Sequence, residues 1–503
     1  MQDIQIWKEK MKEKRKQTPF REYLKHVVSQ RTLAFYKNNE YTSIYPQTPR
    51  IKWIISHTEY QDKRDMVTSH WREYDTSKSF FENIQTLFSS VEMPPTILFG
   101  TCENANFTDQ TLNCKNSYLS YVVIKDCENV MYSLSIKEKS INVLNSVMVR
   151  ENSENIYFSK WVIKWFNIFY SKYIHNSSDI RFSTNLVWCH DCVFCTDLEN
   201  KSYCIENIQY TKAEYLSKKK EILQAKQEFM WRYAKLSNAG NNIASTEVEG
   251  IYNIQCSNIQ QWYMNYQIKN GRNIMLIWGK EPGENVYDCF LNTPSETDIY
   301  GVFSTGFCDN IYLSGQIAWG SNIFYSYLLE NCSYCLGCIG LKNKQFCILN
   351  KEYNKDERYE LANKIFEKME AEWILWAFFP WSMNPFYFND TAAYLIDDTF
   401  TQEEVTAEGY LRRDEEIKVD IPANAEVITT KDLNQFQWFD PAWPGAGNGE
   451  RKINPEILKK VIKDEKWNYY RIVPMELQFL QKHWLPLPEL HWLERIKLGF
   501  KFK

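Results

Sequence analysis

Asn155-Ile-Tyr-Phe-Ser159 and Asn167-Ile-Phe-Tyr-Ser171 are two copies of one phrase: an Asn, then Ile or Val, any residue, an aromatic residue and Ser. Versions of this phrase recur at steps of 12, 13, 13, 13, 12 and 12 residues, with anchors at Asn104, Asn116, Asn129, Asn142, Asn155, Asn167 and Asp179. A short fixed period indicates the architecture more strongly than any other feature of a sequence. It does not indicate the chemistry, because one fold can serve many functions.

A second array follows the first one. Its steps are 15, 12, 13, 12, 12 and 12 residues, and its anchors are Asn258, Asn273, Asn285, Asp298, Asn310, Asn322 and Tyr334. Each array ends in a Cys-x-x-Cys-x-x-Cys block, and eight residues separate this block from a fourth cysteine. The two ends share an offset of 143 residues at ten pairs: Cys189/Cys332, Cys192/Cys335, Cys195/Cys338, Cys204/Cys347, Leu198/Leu341, Asn200/Asn343, Lys201/Lys344, Ile205/Ile348, Asn207/Asn350 and Tyr210/Tyr353. The sequence therefore predicts a tandem duplication of an array with its closing segment.

A step of 12 to 13 residues is too short for a helical-hairpin repeat, which needs more than about 30 residues. It fits a β-solenoid coil of two short strands and two tight turns, since a four-residue strand spans roughly 13 Å. Two repeats in one larger coil are the alternative. Asn tolerates left-handed backbone, so we expect the Asn and Ser columns to align between coils, with the Asn side chains in a ladder. Strand alternation predicts that the Ile and the aromatic residue of each phrase point to one side, and that Phe158, Tyr170 and Phe182 stack.

The expected fold is mainly β with helices: two tandem β-solenoid arrays of 12–13-residue repeats, each closed by a Cys-rich segment and an amphipathic helix. Four segments are predicted: 1–95, a basic and aromatic N-terminal region with a cap for the first array; 96–237, the first array and its helix; 238–380, the second array and its helix; and 381–503, a Pro-rich connection and a basic C-terminal region. Helical periodicity predicts two core-packing faces, Leu216, Leu223, Met230 and Tyr233 in 212–236, and Leu361, Ile365, Met369, Trp373 and Trp376 in 355–378.

All fourteen cysteines lie in register with the repeat. A small thiol is easily buried in a tight stacked core, so free structural thiols are the main prediction and no cofactor is expected. The alternative is a zinc or iron–sulfur site, because Cys-x-x-Cys spacing can suit either group. Column neighbours lie about 4.8 Å apart, so they would bind one ion only where the ladder bends. The candidate metal ligands are therefore those of the closing segments: Cys189, Cys192, Cys195, Cys204, Cys332, Cys335, Cys338 and Cys347.

The composition is ordinary for a chain of 503 residues, with a net charge of −4 and 24% charged residues. No apolar run reaches 18 residues, so no membrane span is expected. The segment from Met1 to Lys16 is too charged for a signal peptide, and fourteen cysteines fit a reducing cytoplasm. Residues 1–31 carry nine Lys or Arg against four Asp or Glu, and residues 451–503 carry twelve against six. These basic ends could pair internally with the acidic body or bind an anionic partner.

Four stretches carry a resemblance to a known family: Arg31-Thr-Leu-Ala-Phe-Tyr36, the phrase from Leu341 to Tyr353, Phe379-Pro-x-Ser382 with Pro385-Phe386, and Arg471 to Phe479 followed by Leu485-Pro-Leu-Pro488. Over most of its length the chain resembles an uncharacterised Cys- and Asn-rich, solenoid-like repeat family of candidate-phylum bacteria with reduced genomes. The resemblance implies architecture, and it brings no established activity. Family members look as if they carry zinc-ribbon-like cysteine pairs near both ends, but this chain has no cysteine before Cys102 or after Cys347.

Three function classes remain open. The first is a non-catalytic binding or scaffold protein that presents a repeat surface to a macromolecular partner, more probably a protein than a nucleic acid. No nucleophile elbow, phosphate loop or paired-His metal motif is present, so no catalytic residue is assigned. The second is nucleic-acid association through the basic ends and the aromatic residues. The third, which rests on fold analogy alone, is a carbohydrate-active β-helix enzyme, and it would require paired carboxylates on one solenoid face.

Overall fold

The structure is a computed structural model that divides into two compact units. One unit comprises Met1–Thr96 with Asn241–Asp414, and the other comprises Ile97–Gly240 with Glu415–Lys503. The structure describes residues 6–7, 9–11, 13, 19–37, 42–63, 70–105, 107–224, 232–233, 235–236, 246–248, 257–259, 291–292, 299–300, 304–306, 309–413, 421, 424–440 and 450–500. We call the units unit 1 and unit 2, and the four-segment division predicted above stays a prediction.

The fold is mainly β with helices. A β-solenoid of about 12 turns, with repeats of about 12 residues, occurs between residues 98 and 330. The α-helices whose ends lie among the described residues are α1 Phe20–His26, α2 His57–Lys63, α3 Phe80–Phe88, α4 Lys212–Gln224, α5 Lys355–Ala371, α6 Ala392–Ile396, α7 Gln402–Ala407, α8 Pro474–His483 and α9 Trp492–Phe500. Short 3-10 helices are Val28–Gln30, Trp381–Met383, Phe388–Asp390, Thr430–Gln435 and Pro455–Lys459.

The solenoid of unit 2 is one sheet of short strands in which each strand pairs in parallel with the strand one coil away. Its strands are Leu98–Phe99, Phe107–Leu112, Lys115–Ile124, Glu128–Met131, Leu134–Lys137, Ile141–Leu144, Val147–Arg150, Glu154–Tyr157, Lys160–Ile163, Phe166–Phe169, Lys172–His175, Ser178–Arg181, Thr184–Val187, His190–Val193, Thr196–Glu199 and Ser202–Ile205, closed by antiparallel Ile208–Gln209. The later strands of this unit are Val427–Thr429, Gln437–Asp440, Glu450–Ile453, Val461–Lys463 and Tyr469–Tyr470.

Each coil turns at a residue with left-handed backbone at about every third position. In one coil these corners are Asn155, Phe158, Trp161 and Lys164, with φ of 58°, 49°, 58° and 62°. Left-handed backbone costs a non-glycine residue roughly 1–2 kcal/mol. Packing and hydrogen bonds between coils must therefore offset that cost along the whole stack.

Because of the corners, the direction in which the side chains point repeats every three residues. Ile156 and Ile168 belong to the narrow interior, whereas Phe158 and Tyr170 belong to a separate hydrophobic cluster on the outside of the coil. The prediction that the Ile and the aromatic residue point to one side was therefore wrong. Alternation holds for extended strands, and a corner after every third residue resets the direction in which side chains point.

Two polar ladders run along the stack, as predicted. The Asn side chains form one ladder, in which each Nδ2 donates to the Oδ1 one coil on: Asn104 to Asn116, Asn116 to Asn129, Asn129 to Asn142, Asn142 to Asn155, Asn155 to Asn167, and Asn167 to Asp179, at 2.9–3.2 Å. In the Ser column, the backbone N–H of Ser171 donates to Ser159 Oγ (3.1 Å), and that of Ser183 donates to Ser171 Oγ (3.2 Å). Each of these hydroxyls also donates to the carbonyl two residues earlier, so the buried polar groups are satisfied.

The aromatic column also stacks, which confirms that prediction. Ring centroids are 5.4 Å apart for Phe158 and Tyr170, and 5.3 Å for Tyr170 and Phe182. This face is covered by residues that follow the solenoid in the chain, including Tyr215 of α4 and Phe479 of α8. One face of the unit 2 solenoid is therefore closed by its own chain.

Unit 1 contains coils of the same kind. Its strands are Tyr36–Lys37, Thr42–Ser43, Thr246–Val248, Ser257–Ile259, Leu291–Asn292, Ile299–Tyr300, Ser304–Gly306, Asp309–Tyr312, Gly315–Ala318, Ser321–Phe324, Tyr327–Glu330, Cys347–Ile348 and Lys351–Glu352. Ile311 pairs with Ile323, and Ser326 N donates to Ser314 Oγ at 3.0 Å, as in unit 2. The anchors Asn273, Asn285 and Asp298 lie outside the described residues.

The two solenoids end alike. Cys204 pairs with Gln209 in an antiparallel turn, and Cys347 pairs with Glu352 in another. Just beyond the last coil, a side-chain amide takes the place of a further strand. Asn207 Oδ1 accepts from Thr196 N (2.9 Å) while Nδ2 donates to Thr196 O (2.8 Å). Asn350 makes the same pair of bonds with Ile339, at 2.8 and 2.9 Å. Each Asn thus satisfies backbone groups that a sheet edge would expose.

Helices Lys212–Gln224 and Lys355–Ala371 form within the two predicted stretches, but two of the predicted core residues are wrong. Leu216 of α4 is 51% exposed, and the adjacent Tyr215 is buried in its place. Trp373 lies beyond the end of α5 with φ of 59° and is 91% exposed, because the helix ends at Ala371. Of the core residues predicted for 355–378, Ile365, Met369 and Trp376 are buried and Leu361 is half-buried, and Tyr233 of the other helix is buried in unit 2. The side chains of Leu223 and Met230 lie outside the described residues.

The segment before the first array belongs to unit 1. Arg72 N donates to Leu349 O at 3.0 Å, and the hydroxyls of Tyr45 and Tyr327 are 3.2 Å apart. The structure groups residues 32–95 with the second array, and a role as a cap of the first array stays a prediction.

Candidate functional site

The four closing-segment cysteines of unit 2 lie in the interior of two successive coils. Cys189, Cys192 and Cys195 occupy three successive interior positions, and Cys204 lies one coil on, in register with Cys192. All four are at most 1% exposed. Whether a bend of the ladder lets these thiols bind one ion stays a prediction. Interior positions recur at every third residue, so a Cys-x-x-Cys-x-x-Cys block directs all its thiols inward.

Unit 1 repeats this arrangement with Cys332, Cys335, Cys338 and Cys347, each at most 3% exposed. In both units, each thiol donates to the carbonyl two residues earlier, at 3.3–3.6 Å. The Ser hydroxyls of neighbouring coils make the same bond. The cysteines therefore substitute for the Ser and Ile that occupy equivalent positions elsewhere.

Contacts among the thiols change their acidity. Hydrogen bonds with the Cys189 and Cys195 thiols, together with burial, raise the pKa of Cys192 well above its ordinary value, while the bond with Cys192 lowers the pKa of Cys189 to about 7. Hydrogen bonds with Cys332, Cys338 and Cys347, together with burial, raise the pKa of Cys335. The central thiol of each cluster is therefore protonated at neutral pH.

No metal group is formed by the described residues: among them, no three His, Cys, Asp or Glu side chains are arranged to hold an ion. Zinc and iron ligands must lie at about 2.0–2.3 Å from one centre, and thiolates rather than thiols bind them. Metal binding by the eight cysteines of the closing segments stays an untested alternative.

We expect the native protein to react slowly with a thiol reagent. Ten of the fourteen cysteines are buried, Cys102 is partly exposed, and Cys256, Cys289 and Cys308 lie outside the described residues. Titration with a chromogenic disulfide should therefore give at most four fast thiols before denaturation and fourteen after it. About two zinc or iron equivalents in reduced protein, lost in Cys192→Ser with Cys335→Ser, would replace the structural interpretation with a metal site.

The unit 2 solenoid has a second feature, a cluster of aromatic residues at an uncovered edge. We call Trp165, Phe166, Trp188 and His190 the aromatic corner. Phe166 is 42% exposed and Trp188 is 49% exposed, whereas Trp165 and His190 are half-buried. The rings of Trp165 and Phe166 are 6.0 Å apart, and those of Trp165 and His190 are 5.6 Å apart.

The coil positions the aromatic corner rigidly. Trp165 Nε1 donates to Asn176 Oδ1 at 3.4 Å, and Trp188 occupies the next corner along the stack, since His175 pairs with Val187. Ser178 Oγ and His190 Nδ1 are 2.8 Å apart. The backbone that carries these side chains is thus hydrogen-bonded both to the coil before it and to the coil after it.

The polar groups around the aromatic corner carry both signs of charge. Lys164 and Glu154 are exposed beside it. Asp179 accepts from Asn167, and Asp191 pairs with Lys219 at 3.3 Å. The carboxylates of Asp179 and Asp191 are therefore both engaged in bonds within the protein.

The basic ends pair with acidic groups of their own units. In unit 1, Lys10 pairs with Glu370, Arg21 with Asp397 and Glu404, and Lys25 with Glu408. In unit 2, Lys460 pairs with Glu426, Lys466 with Glu494, and Arg495 with Glu476. These cations are therefore paired within the protein, although Glu476 and Glu494 belong to the basic C-terminal region itself and not to the acidic body.

The repeat pattern did not predict the aromatic corner. Its residues lie outside the Asn, Ile, aromatic and Ser columns, and this departure from the columns is the signal that could have identified them. No family model, curated protein or solved structure matches this chain. No helix among the described residues is both long and apolar enough to cross a membrane. The resemblance to the solenoid-like family therefore stays a prediction.

Proposed function

We propose that this protein is a non-catalytic binding protein whose unit 2 solenoid takes a protein partner at the aromatic corner. One observation carries the proposal: Phe166 and Trp188 are 42% and 49% exposed on rigid coils, while the aromatic face of the same solenoid is covered by its own chain. Large aromatic side chains dominate the binding energy of protein interfaces, and Trp is the most enriched among them.

The surrounding charges favour a protein over a nucleic acid. A nucleic-acid surface needs several unpaired cations that track phosphates, and steep salt dependence follows from them. The aromatic corner has Lys164 and Glu154 beside it, and the basic residues named above near both chain ends are in ion pairs within their units. A carbohydrate-active enzyme would use a pair of carboxylates as acid and base, whereas Asp179 and Asp191 each have another partner.

We further propose that the two solenoids arose by tandem duplication, each closed by its Cys-rich coil and helix. The matching turns, the matching Asn caps and the start of α4 and α5 at Lys212 and Lys355 support this interpretation. The duplicated end would then be a structural element common to both units, and the aromatic corner would be specific to unit 2.

Affinity purification from native cells tests the function. Wild-type protein, Phe166→Ala with Trp188→Ala, and the control Trp438→Ala are compared, because Trp438 is also about half exposed, at 50%. Loss of a central aromatic side chain costs about 2 kcal/mol or more, so the double variant should recover its protein partner at least tenfold less well than wild type.

The control variant should recover the same partner as wild type. Equal recovery by all three proteins would contradict a role of the aromatic corner. Recovery of nucleic acid that falls steeply with salt would instead favour nucleic-acid association.

A further inference from the structure

Unit 1 contains a cavity walled mainly by rings. Its volume is about 80 Å³, and its ring-bearing walls include His26, Tyr45, Tyr325, Phe379, Trp381 and Phe386. The rings hold one another in place: Tyr45 and Phe386 stack with centroids 5.6 Å apart, and His26 and Trp381 stack at 3.9 Å. Ile84, Ile339 and Met383 supply aliphatic wall between the rings.

Polar groups of the cavity wall are engaged with the protein itself. Asn384 Nδ2 donates to Ser29 O and Ser29 Oγ, at 3.2 and 3.1 Å, and Asn384 Oδ1 accepts from Phe386 N. Tyr410 Oη donates to Lys25 O at 2.5 Å, and Tyr325 Oη donates to Ala377 O at 3.0 Å. A ligand in this cavity is therefore recognised chiefly by its apolar surface and shape.

The imidazole of the wall residue His26 lies 3.2 Å from the Glu22 carboxylate, so it is already engaged within the protein. No Lys, Arg, Asp or Glu occurs among the described residues that line the cavity. Arg50 lies near the same loop, but its guanidinium donates to the carbonyls of Trp381, Asn384 and Gly409. A buried charge without a partner is strongly unfavourable, so the occupant is neutral.

The size of the cavity restricts the occupant further. An apolar cavity of about 150 Å³ binds benzene, and the cavity in unit 1 has about half that volume. An aromatic ring is therefore too large, whereas one short branched aliphatic group fits.

We propose that this cavity binds one leucine-type aliphatic side chain of a peptide, with the neutral peptide backbone at its mouth. A free short-chain acid carries the same branched alkyl group, but its carboxylate meets no Lys or Arg among the described residues of the wall. The site is in unit 1 and is independent of the aromatic corner of unit 2.

The test uses the full chain labelled with ¹³C at the methionine methyl groups. Met383 lines the cavity, and the signal that disappears in Met383→Leu is assigned to it. N-acetyl-leucinamide should shift this signal saturably at millimolar concentration, because a single buried side chain binds weakly. N-acetyl-asparaginamide, which is polar, and N-acetyl-phenylalaninamide, which is too large, should not shift it. Isovalerate, which presents the branched alkyl group on a carboxylate, should bind at least tenfold more weakly.

The variant Ile84→Phe fills the cavity and should abolish the shift, while Ile208→Phe, at a side chain that is 57% exposed in unit 2, should leave it unchanged. If Ile84→Phe does not fold, Phe88→Trp fills the same space from α3. The proposal is overturned if N-acetyl-leucinamide gives no saturable shift, or if N-acetyl-asparaginamide gives the same one. Equal or tighter binding of isovalerate would reassign the cavity to an acyl chain.

Discussion

Glu476→Gln should destabilise unit 2 by about 3–5 kcal/mol, because it leaves the Arg495 charge buried without its partner. Arg495 Nη1 and Glu476 Oε1 are 2.7 Å apart, and their side chains are 1% and 0% exposed. Burial alone would lower the pKa of Arg495, but the charge of Glu476 and the nearby tyrosines raise it overall. The pair joins α8 to α9 beneath the aromatic face of the solenoid.

Chemical denaturation measures this loss of stability, and hydrogen exchange of the solenoid amides of unit 2 is the readout. Glu494→Gln is the matched control, since its partner Lys466 has a 59% exposed side chain and an exposed pair contributes about 0–1 kcal/mol. Glu476→Leu with Arg495→Met should restore most of the stability, because replacing both members of a buried pair by apolar groups is often neutral. A double variant as unstable as Glu476→Gln would contradict this account.

Ile168→Ala should lower the free energy of unfolding by about 2–5 kcal/mol, because it creates a cavity in the solenoid interior. At each position along the stack, that interior is only one side chain wide. Ile168 is fully buried and pairs in register with Ile156 and Ile180 on the coils before and after it. The substitution removes contacts on both sides of the coil at once, and the narrow interior has little freedom to collapse. Unfolding of the full chain in urea measures the change.

Phe166→Ala is the informative control for this prediction. Residues 166 and 168 would face one side under simple strand alternation, whereas a period of three buries Ile168 and exposes Phe166. The control should change the free energy of unfolding by no more than about 0.5 kcal/mol, as surface substitutions do. Equal losses of stability in the two variants would mean that the coil does not consist of four three-residue segments, each ending at a corner.

The repeat period could be read from the sequence because each coil makes contacts almost only with its neighbours. Asn155 and Asn167 are one period apart in the chain, and they are also hydrogen-bonded in space. The ladders, the aromatic stack and the burial of the eight closing-segment cysteines all follow from this one-dimensional order. The direction of the side chains did not follow, since left-handed backbone at residues such as Phe158 and Trp161 is not a preference of those residue types.

The order of the amino acids is therefore enough to predict a β-solenoid with a period of about 12 residues, its polar and aromatic columns, and the offset of 143 residues between its two ends. The folded chain was needed to show which faces are covered, that Leu216 is exposed while Tyr215 is buried, and that rings from residues 26, 45 and 381 share one cavity. The reason is the range of the interactions. The register between coils depends on contacts between neighbouring repeats, so every repeat carries the same sequence signal for it. The burial of a solenoid face by residues hundreds of positions away depends on the path of the chain after the solenoid. The periodic pattern of the sequence contains no signal for that path.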